Sequence, residues 1–354
     1  MGLSAEVVPY ALPFRRPYVT ARGSITRREM VLLRLRDEEG RVGLGEAVPL
    51  SLRGGAALAD VVRELEAVTA ARPQPEGLAA AAAAGAPEPL SGPARCAVLT
   101  ALADLAARVA EVPGASEKPR YARCNATLVA GEPAAVAADA ERWASAGFTT
   151  FKLKLGAPGG DDVGQVRAVR EAIDPMARIR VDANGAWSVE QATRVLAAIE
   201  PFDVELCEQP VATMEELAAV AAASPIPIAA DESVETLADA ERARDLGACS
   251  IIGVKLSKVG GVAAAEAIAA VLPTFLSSAL DGPVGIAAAV ELAARGETHR
   301  PFDEPLAHGL ATQLLFAESI AAVGCQLFDD VLQMPRGPGL GVEIDEDALE
   351  AHRI

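Results

Sequence analysis

The chain has 354 residues, 51% of them apolar and 4% aromatic, with 32 Lys and Arg against 49 Asp and Glu, a net charge of −17 and three His. So acidic a chain repels phosphate backbones and anionic bilayers, which argues against nucleic-acid or membrane-surface partners. His299, His308 and His352 fall in the last sixth of the sequence without ligand spacing, so any bound metal is expected to be a hard ion held by oxygen rather than zinc held by imidazoles.

The length suggests two units, or one large α/β barrel with an addition. The start, MGLSAEVVPYALPFRR, lacks the basic lead and apolar core of a secretory signal, and no run of 18 apolar residues follows anywhere. Alternation at Ala5–Leu12, Arg28–Arg36 and Arg41–Pro49, with a turn at Asp37–Gly40, predicts a small antiparallel sheet. Helical periodicity follows at Ala57–Ala70 and Pro93–Val109; the alanine run Ala79–Ala84 between them reads as a short helix within a long connection. Residues 1–115 are therefore expected to form an α+β unit.

From Tyr121 onward short β-rich runs alternate with amphipathic stretches. The predicted strands are Ala122–Leu128, Thr150–Leu155, Arg178–Asp182, Val204–Glu208, Ile226–Asp231, Ile251–Lys255, Thr274–Ala279 and Arg300–Pro305. Helices are predicted between them, at Pro133–Ala146, Ser188–Ile199, Met214–Ala222, Leu237–Leu246 and Ala263–Val271. Eight such units over residues 116–323 favour a parallel β/α barrel over an open doubly wound sheet, because neither GxGxxG nor a P-loop occurs. From Gly324 the repeat is lost, and the stretch 324–354, with its PRGPGLG, is expected to return to the N-terminal unit. The five cysteines (Cys96, Cys124, Cys207, Cys249 and Cys325) form no CxxC pair and read as reduced thiols of a cytoplasmic protein.

Charge closes the strands: Lys152 and Lys154 in FKLKLG, Asp182 in RVDAN, Glu208 in LCEQP, Asp231 in AADES and Lys255 in GVKLS. The steps from one to the next are about 25 residues, the length of one β/α unit. Five consecutive strands would then present charge at the rim where barrel active sites lie. Three converging carboxylates call for a divalent cation, Mg2+ first and Mn2+ as substitute, although a single acid at a strand end can equally cap the next helix. Lys152 and Lys154 share a strand face. Burial and each other's charge are expected to lower their pKa toward the range of a base. Lys258 reads as a solvated loop charge. Two lysine bases flanking a cation suit removal of the α-proton of a carboxylate substrate.

The order and spacing of KxK (Lys152–Lys154), DAN (Asp182–Asn184), EQP (Glu208–Pro210), DES (Asp231–Ser233) and Lys255 resemble the enolase superfamily. The similarity is to its muconate-lactonizing subgroup, and within that to the o-succinylbenzoate synthases of menaquinone biosynthesis. The resemblance implies a modified (β/α)7β TIM-like barrel with an N-terminal α+β capping domain. It makes Asp182, Glu208 and Asp231 ligands of Mg2+, Lys154 the general base tuned by Lys152, and Lys255 the group on the opposite face. Asn184, Gln209 and Glu232 would orient the ligands, and Ser277 and Ser278, in SSALDGPVGIAAA, would touch substrate. AHGLAT (Ala307–Thr312) resembles the segment after the eighth strand. FDEPL (Phe302–Leu306) lacks the Asp-x-Asp of dipeptide epimerases, whereas KLSKVGG (Lys255–Gly261) is closer to epimerases and cycloisomerases. N-acyl amino acid racemase, dipeptide epimerase and cycloisomerase activities stay open beside dehydration to o-succinylbenzoate. By the same analogy ARGSITRRE (Ala21–Glu29) is a loop that closes over the site, and the protein is a homo-oligomer.

Overall fold

The computed structural model describes residues 2–20, 23–50, 55–71, 74–83, 89–110, 120–296 and 305–354. The N-terminal sheet is antiparallel in the order β1 (Ser4–Thr20), β2 (Gly23–Arg36), β3 (Val42–Ala47). The β1–β2 hairpin is longer than the alternation predicts. Its register shifts between Pro13 and Tyr18 and then resumes with Tyr18 opposite Ile25. Much of the stretch read as a closing loop is therefore strand, and residues 21–22 lie outside the described residues.

Helices α1 (Leu58–Ala71), α2 (Pro75–Ala82) and α3 (Gly92–Val109) cover one face of this sheet. Val31, Leu33, Leu35, Leu65, Ala97 and Val98 are fully buried between them. The approach of α3 to β3 is close enough to exclude side chains: a Cβ on Gly43 or Gly45 would stand 2.1 Å from the Ala101 carbonyl oxygen or 2.0 Å from that of Ala97. Gly45→Ala is expected to destabilise the protein by about 1–3 kcal/mol through overpacking, read as a lower urea midpoint with an unchanged slope.

The predicted strand Ala122–Leu128 is two strands. β4 (Tyr121–Arg123) and β5 (Ala126–Leu128) part at Cys124 and Asn125, whose amides turn to the carbonyls of Asp330 and His308. From β5 the chain alternates helix and strand: α4 (Pro133–Ser145), β6 (Thr150–Lys154), α5 (Asp162–Ala172), β7 (Arg178–Asp182), α6 (Val189–Ile199), β8 (Val204–Glu208), α7 (Met214–Ala223), β9 (Ile228–Ala230) and α8 (Leu237–Leu246). Next come β10 (Ile251–Val254), α9 (Leu256–Val259), α10 (Val262–Ala269), β11 (Thr274–Leu276) and α11 (Pro283–Ala294). Capping boxes Thr213/Glu216 and Thr236/Asp239 begin α7 and α8 by satisfying their first amides.

Strands β5 to β11 form one parallel seven-stranded sheet in sequence order. Among the described residues it is closed by single-residue parallel bridges, Cys124 to His308 and Ser277 to Gly309. Of the strand expected at Arg300–Pro305, residues 300–304 lie outside the described residues. The fold is thus an α/β TIM-like barrel with an N-terminal capping unit.

The inward positions alternate along each strand. Leu206, Ala229, Ile251, Phe275 and Leu306 pack together inside the barrel. Buried Arg180 lies among them, its guanidinium 5.3 Å from the Phe275 ring centroid, donating to the Ala307 carbonyl at 2.6 Å and paired with Glu205. One or two pleats further along the same faces stand Lys154, Asp182, Glu208, Asp231, Lys255 and Ser277. Apolar packing fills the base of the barrel and charge its rim.

After the barrel, β12 (Ala321–Val323) pairs with β15 (Glu343–Ile344), and β13 (Gln326–Phe328) and β14 (Val331–Gln333) join β4. Helix α12 (Glu346–His352) brings Glu346 to Arg34 at 2.8 Å, the Ile354 amide donates to Pro9, and the Leu340 amide donates to Asp104 of α3. The five cysteines are free thiols, four of them buried, and no helix among the described residues is long and apolar enough to cross a membrane.

Candidate active site

The backbone register sets a row of charge across the rim, with Lys154 opposite Asp182 and Asp182 opposite Glu208. Asp231 follows β9, and Lys255 follows β10 at the residue before α9. Lys152, Lys154, Asp182, Glu208, Asp231 and Lys255 are all buried. Lys152 Nζ stands 2.8 Å from Asp182 Oδ2 and 2.6 Å from Glu208 Oε2, while Lys154 Nζ is 2.5 Å from Asp182 Oδ2 and 3.2 Å from Asn184 Oδ1. Lys255 pairs with Asp231. All six residues expected from the strand ends therefore meet in one polar cluster.

The groups around them hold the carboxylates in place. Asn184 (φ 48°) and Gln209 (φ 38°) both adopt left-handed backbone, which Asn tolerates and Gln rarely does. Gln209 is held there by its side chain: Oε1 accepts from the amides of Asp231 and Ser233, and Nε2 donates to the Val211 carbonyl and Ser233 Oγ. The Asn184 amide donates to Asp182 Oδ1 at 2.9 Å and its side chain to Glu232 at 3.0 Å. Ser277 and Ser278 line the cleft, and the Ser278 hydroxyl donates to Asp281 at 2.8 Å.

Two expectations change. Lys258 is not a solvated loop charge: it is buried, donating to the Asp231 carbonyl and standing 3.0 Å from Asp231 Oδ1. It follows Lys255 by three residues on a short helix, where i and i+3 share a face. Nor are the lysine pKa values lowered. Burial pulls Lys152 and Lys154 down, but direct contact with Asp182, and for Lys152 with Glu208, outweighs it and raises both. Burial pushes Asp182 up while the two ammoniums pull it further down, for a net lowering. Glu208 is raised by burial and then by Asp182, against the pull of Lys152.

The carboxylates do not stand as a ready-made cage. No group of three or more His, Cys, Asp or Glu among the described residues is arranged to hold a metal, because each acid is drawn to an ammonium. The donor chemistry nevertheless fits a hard divalent cation. Three buried carboxylates supply oxygen only, and Glu208 Oε1 is buried with no hydrogen-bond partner. An orphaned anionic oxygen in a dry cluster is costly unless positive charge reaches it.

The cleft above the cluster holds about 70 Å3. Its walls include Tyr18, Arg28 and Leu50 from the capping unit and Thr127 and Thr312 from the barrel. Arg28 is one of the arginines of ARGSITRRE, read from the sequence as either substrate contacts or solvated, and Tyr18, Leu50 and Thr127 carry no sequence signal. Arg28 Nη2 donates to the carbonyls of Pro49 at 2.6 Å and Ala279 at 3.0 Å, tying cap to barrel. Arg27, its neighbour, pairs with Glu29 in solvent. Thr312 Oγ1 is buried at the cleft with no hydrogen-bond partner; its only sequence signal is its place at the end of AHGLAT.

Comparison with known proteins agrees with this architecture. Residues 3–116 match the mandelate racemase / muconate lactonizing enzyme N-terminal domain, and residues 135–348 match the enolase C-terminal domain-like family. The chain is 43% identical over 181 residues to an o-succinylbenzoate synthase of Thermobifida fusca, a stretch spanning 49% of this chain and 56% of the synthase. It is 30% identical over 373 residues to muconate cycloisomerase 1-2 of Acinetobacter lwoffii, covering 99% of this chain and 94% of that one. The crystal structure of a dipeptide epimerase from Cytophaga hutchinsonii, complexed with Mg and D-Ala-L-Val, superposes with a TM-score of 0.86 at 26% identity, covering 99% of this chain and 98% of that one. With both domains matched and the barrel, cap and rim cluster in place, the chain belongs to the enolase superfamily, among the relatives of mandelate racemase and muconate lactonizing enzyme.

Proposed function

We propose that this enzyme is a Mg2+-dependent lyase that dehydrates 2-succinyl-6-hydroxy-2,4-cyclohexadiene-1-carboxylate to o-succinylbenzoate. The observation that carries the choice of reaction is the 43% identity to a synthase over half the chain, against about 30% to a cycloisomerase over nearly all of it. A lysine-flanked, acid-lined cleft supports the chemical class.

In this reading Asp182, Glu208 and Asp231 hold the cation, and Mn2+ is expected to replace Mg2+. When bound, the cation supplies the positive charge that stabilises a substrate carboxylate as its α-carbon loses a proton. Lys154 Nζ takes that proton and returns it to the departing hydroxyl. A lysine raised by Asp182 is protonated at neutral pH, so the role of base requires the Asp182 charge to be met by another cation. Lys152 shares both acids and keeps its proton, holding positive charge beside Lys154. Lys255 lies on β10's end, with β7, β8 and β9 between it and β6, and faces the substrate from the opposite side. Asn184, Gln209 and Glu232 orient the carboxylates, Thr312 and Ser277 offer hydroxyls to the substrate, and Arg28 and Tyr18 close the cap over it.

The test is incubation with Mg2+ and the cyclohexadiene carboxylate. Product absorbance is expected to rise, to stop when EDTA is added and to resume with excess Mg2+. A panel of dipeptides and N-succinyl amino acids in deuterated water runs alongside. Fast α-deuterium uptake there, with no turnover of the cyclohexadiene, would replace the lyase reading by an epimerase or racemase one.

A further inference from the structure

Helix α11 starts behind the cleft wall, and its first residue boundary is unusual. Gly282 occupies the N-cap position and has no side chain with which to cap. The cap comes from the other unit of the protein: Glu46 of β3 accepts from the Gly282 amide at 2.6 Å and the Val284 amide at 3.3 Å, and from the Tyr10 hydroxyl at 3.0 Å. Glu46 is 2% exposed.

There is no room for a looser arrangement. A Cβ on Gly282 would stand 2.3 Å from the Tyr10 hydroxyl and 2.7 Å from Glu46 Oε2, and one on Gly285 would stand 3.0 Å from both Asp281 Oδ1 and Glu46 Oε1. The turn just before α11 is the cleft wall. Asp281 accepts from the Ser278 hydroxyl at 2.8 Å and the Ala279 amide at 2.6 Å, with Leu280 between them in left-handed backbone (φ 68°). Asp281 also accepts from Ser257 at 3.2 Å, on the helix that carries Lys258.

We propose that Glu46 is a positioning residue, a carboxyl cap supplied by the N-terminal unit that fixes the start of α11 and thereby the Ser277–Asp281 wall of the substrate cleft. The titratable groups that face it are Tyr10 on β1, Asp281 before α11 and Cys96 on α3. Burial, and then the Asp281 charge, push Glu46 up to about 8. The clasp is therefore protonated at neutral pH, and its ionisation above pH 8 sets two buried acids against each other. Because the folded value lies above the unfolded one, the stability it lends is full below about pH 4.5, falls as pH rises toward 8 and levels off above.

Hydrogen exchange of the segment 277–290 tests this without any substrate. In the wild type, protection of the α11 start is expected to fall about tenfold between pH 7 and 9, beyond the change in intrinsic rate, the effect of about 1.4 kcal/mol of local opening. Glu46→Gln keeps an acceptor for Gly282 and is expected to abolish that pH step while staying folded; its melting temperature should not show the wild type's decline from pH 5 to 8. Glu46→Ala and Gly282→Ala are expected to show low protection at every pH. Where an assay exists, they should raise KM about tenfold with a smaller change in kcat. The KM readout alone rests on the proposed function. Equal protection in wild type and Glu46→Gln at all pH values would overturn the clasp whatever the substrate proves to be, as would unchanged protection in Glu46→Ala.

Discussion

In the proposed dehydration to o-succinylbenzoate, Lys154→Ala is expected to lower kcat by about 10²–10⁴-fold, the usual contribution of a positioned acid or base, with KM changed far less. The cleft gives the reason. Lys154 is buried at the end of β6, its ammonium fixed between Asp182 and Asn184. Lys152, two residues earlier, is occupied by two carboxylates. Lys255 and Lys258 are both committed to Asp231. A methyl group at position 154 therefore leaves no ammonium near enough to replace it from the same strand. Measuring α-proton exchange beside product formation separates the roles. If Lys154→Ala retained exchange while Lys255→Ala lost it, the base would lie on β10 and the assignment would reverse.

Asp182→Ala is expected to cost stability as well as activity. Asp182 is fully buried and its Oδ2 meets two ammoniums, at 2.8 Å and 2.5 Å. Removing one partner of a buried ion pair strands the other, at a cost of about 3–5 kcal/mol. Here two are affected, although Lys152 keeps Glu208. A melting temperature lower by roughly 10 °C follows for a chain of this size. The pH dependence has a definite sign. The folded pKa of Asp182 lies below its ordinary value near 4, so its stabilisation is full above that value and is lost as pH falls below it. The wild type should lose more stability than Asp182→Ala on acidification from pH 5 to 3. A melting temperature within 2 °C or so of wild type at pH 7 would show that the two ammoniums find other partners, contrary to the cluster described.

Much of the rim was legible in the sequence because barrel geometry turns a one-dimensional spacing into a shared position. Asp182, Glu208 and Asp231 recur at the length of a β/α unit, and strand parity places Lys152 and Lys154 together. The cap's contribution was not legible in the same way. Arg28 meets Ala279 across 251 positions of sequence, and nothing local in a β2 residue announces the carbonyl it will find. Lys258 was misread because a four-residue helix carries too short a pattern to show which face is buried. The lysine pKa direction depended on through-space partners: charge two residues away along a strand lowers a lysine, but a carboxylate at hydrogen-bond distance on the next strand raises it more. The strand expected at Arg300–Pro305 lies almost wholly outside the described residues; the bridges that close the barrel among the described residues, at His308 and Gly309, are single residues with no alternation to detect.

That closure also spans nearly the whole barrel in sequence. The bridge joins Cys124 to His308, so the two edges of the sheet can meet only after nearly the whole barrel sequence has been made and threaded into place. The entropy of closing so long a loop is offset only when the four backbone hydrogen bonds of the seam form, His308 with Arg123 and Asn125 and Gly309 with Leu276 and Ser278. The seam therefore joins parts of the chain far apart in sequence, and it runs beside Ser277 and Thr312 at the cleft.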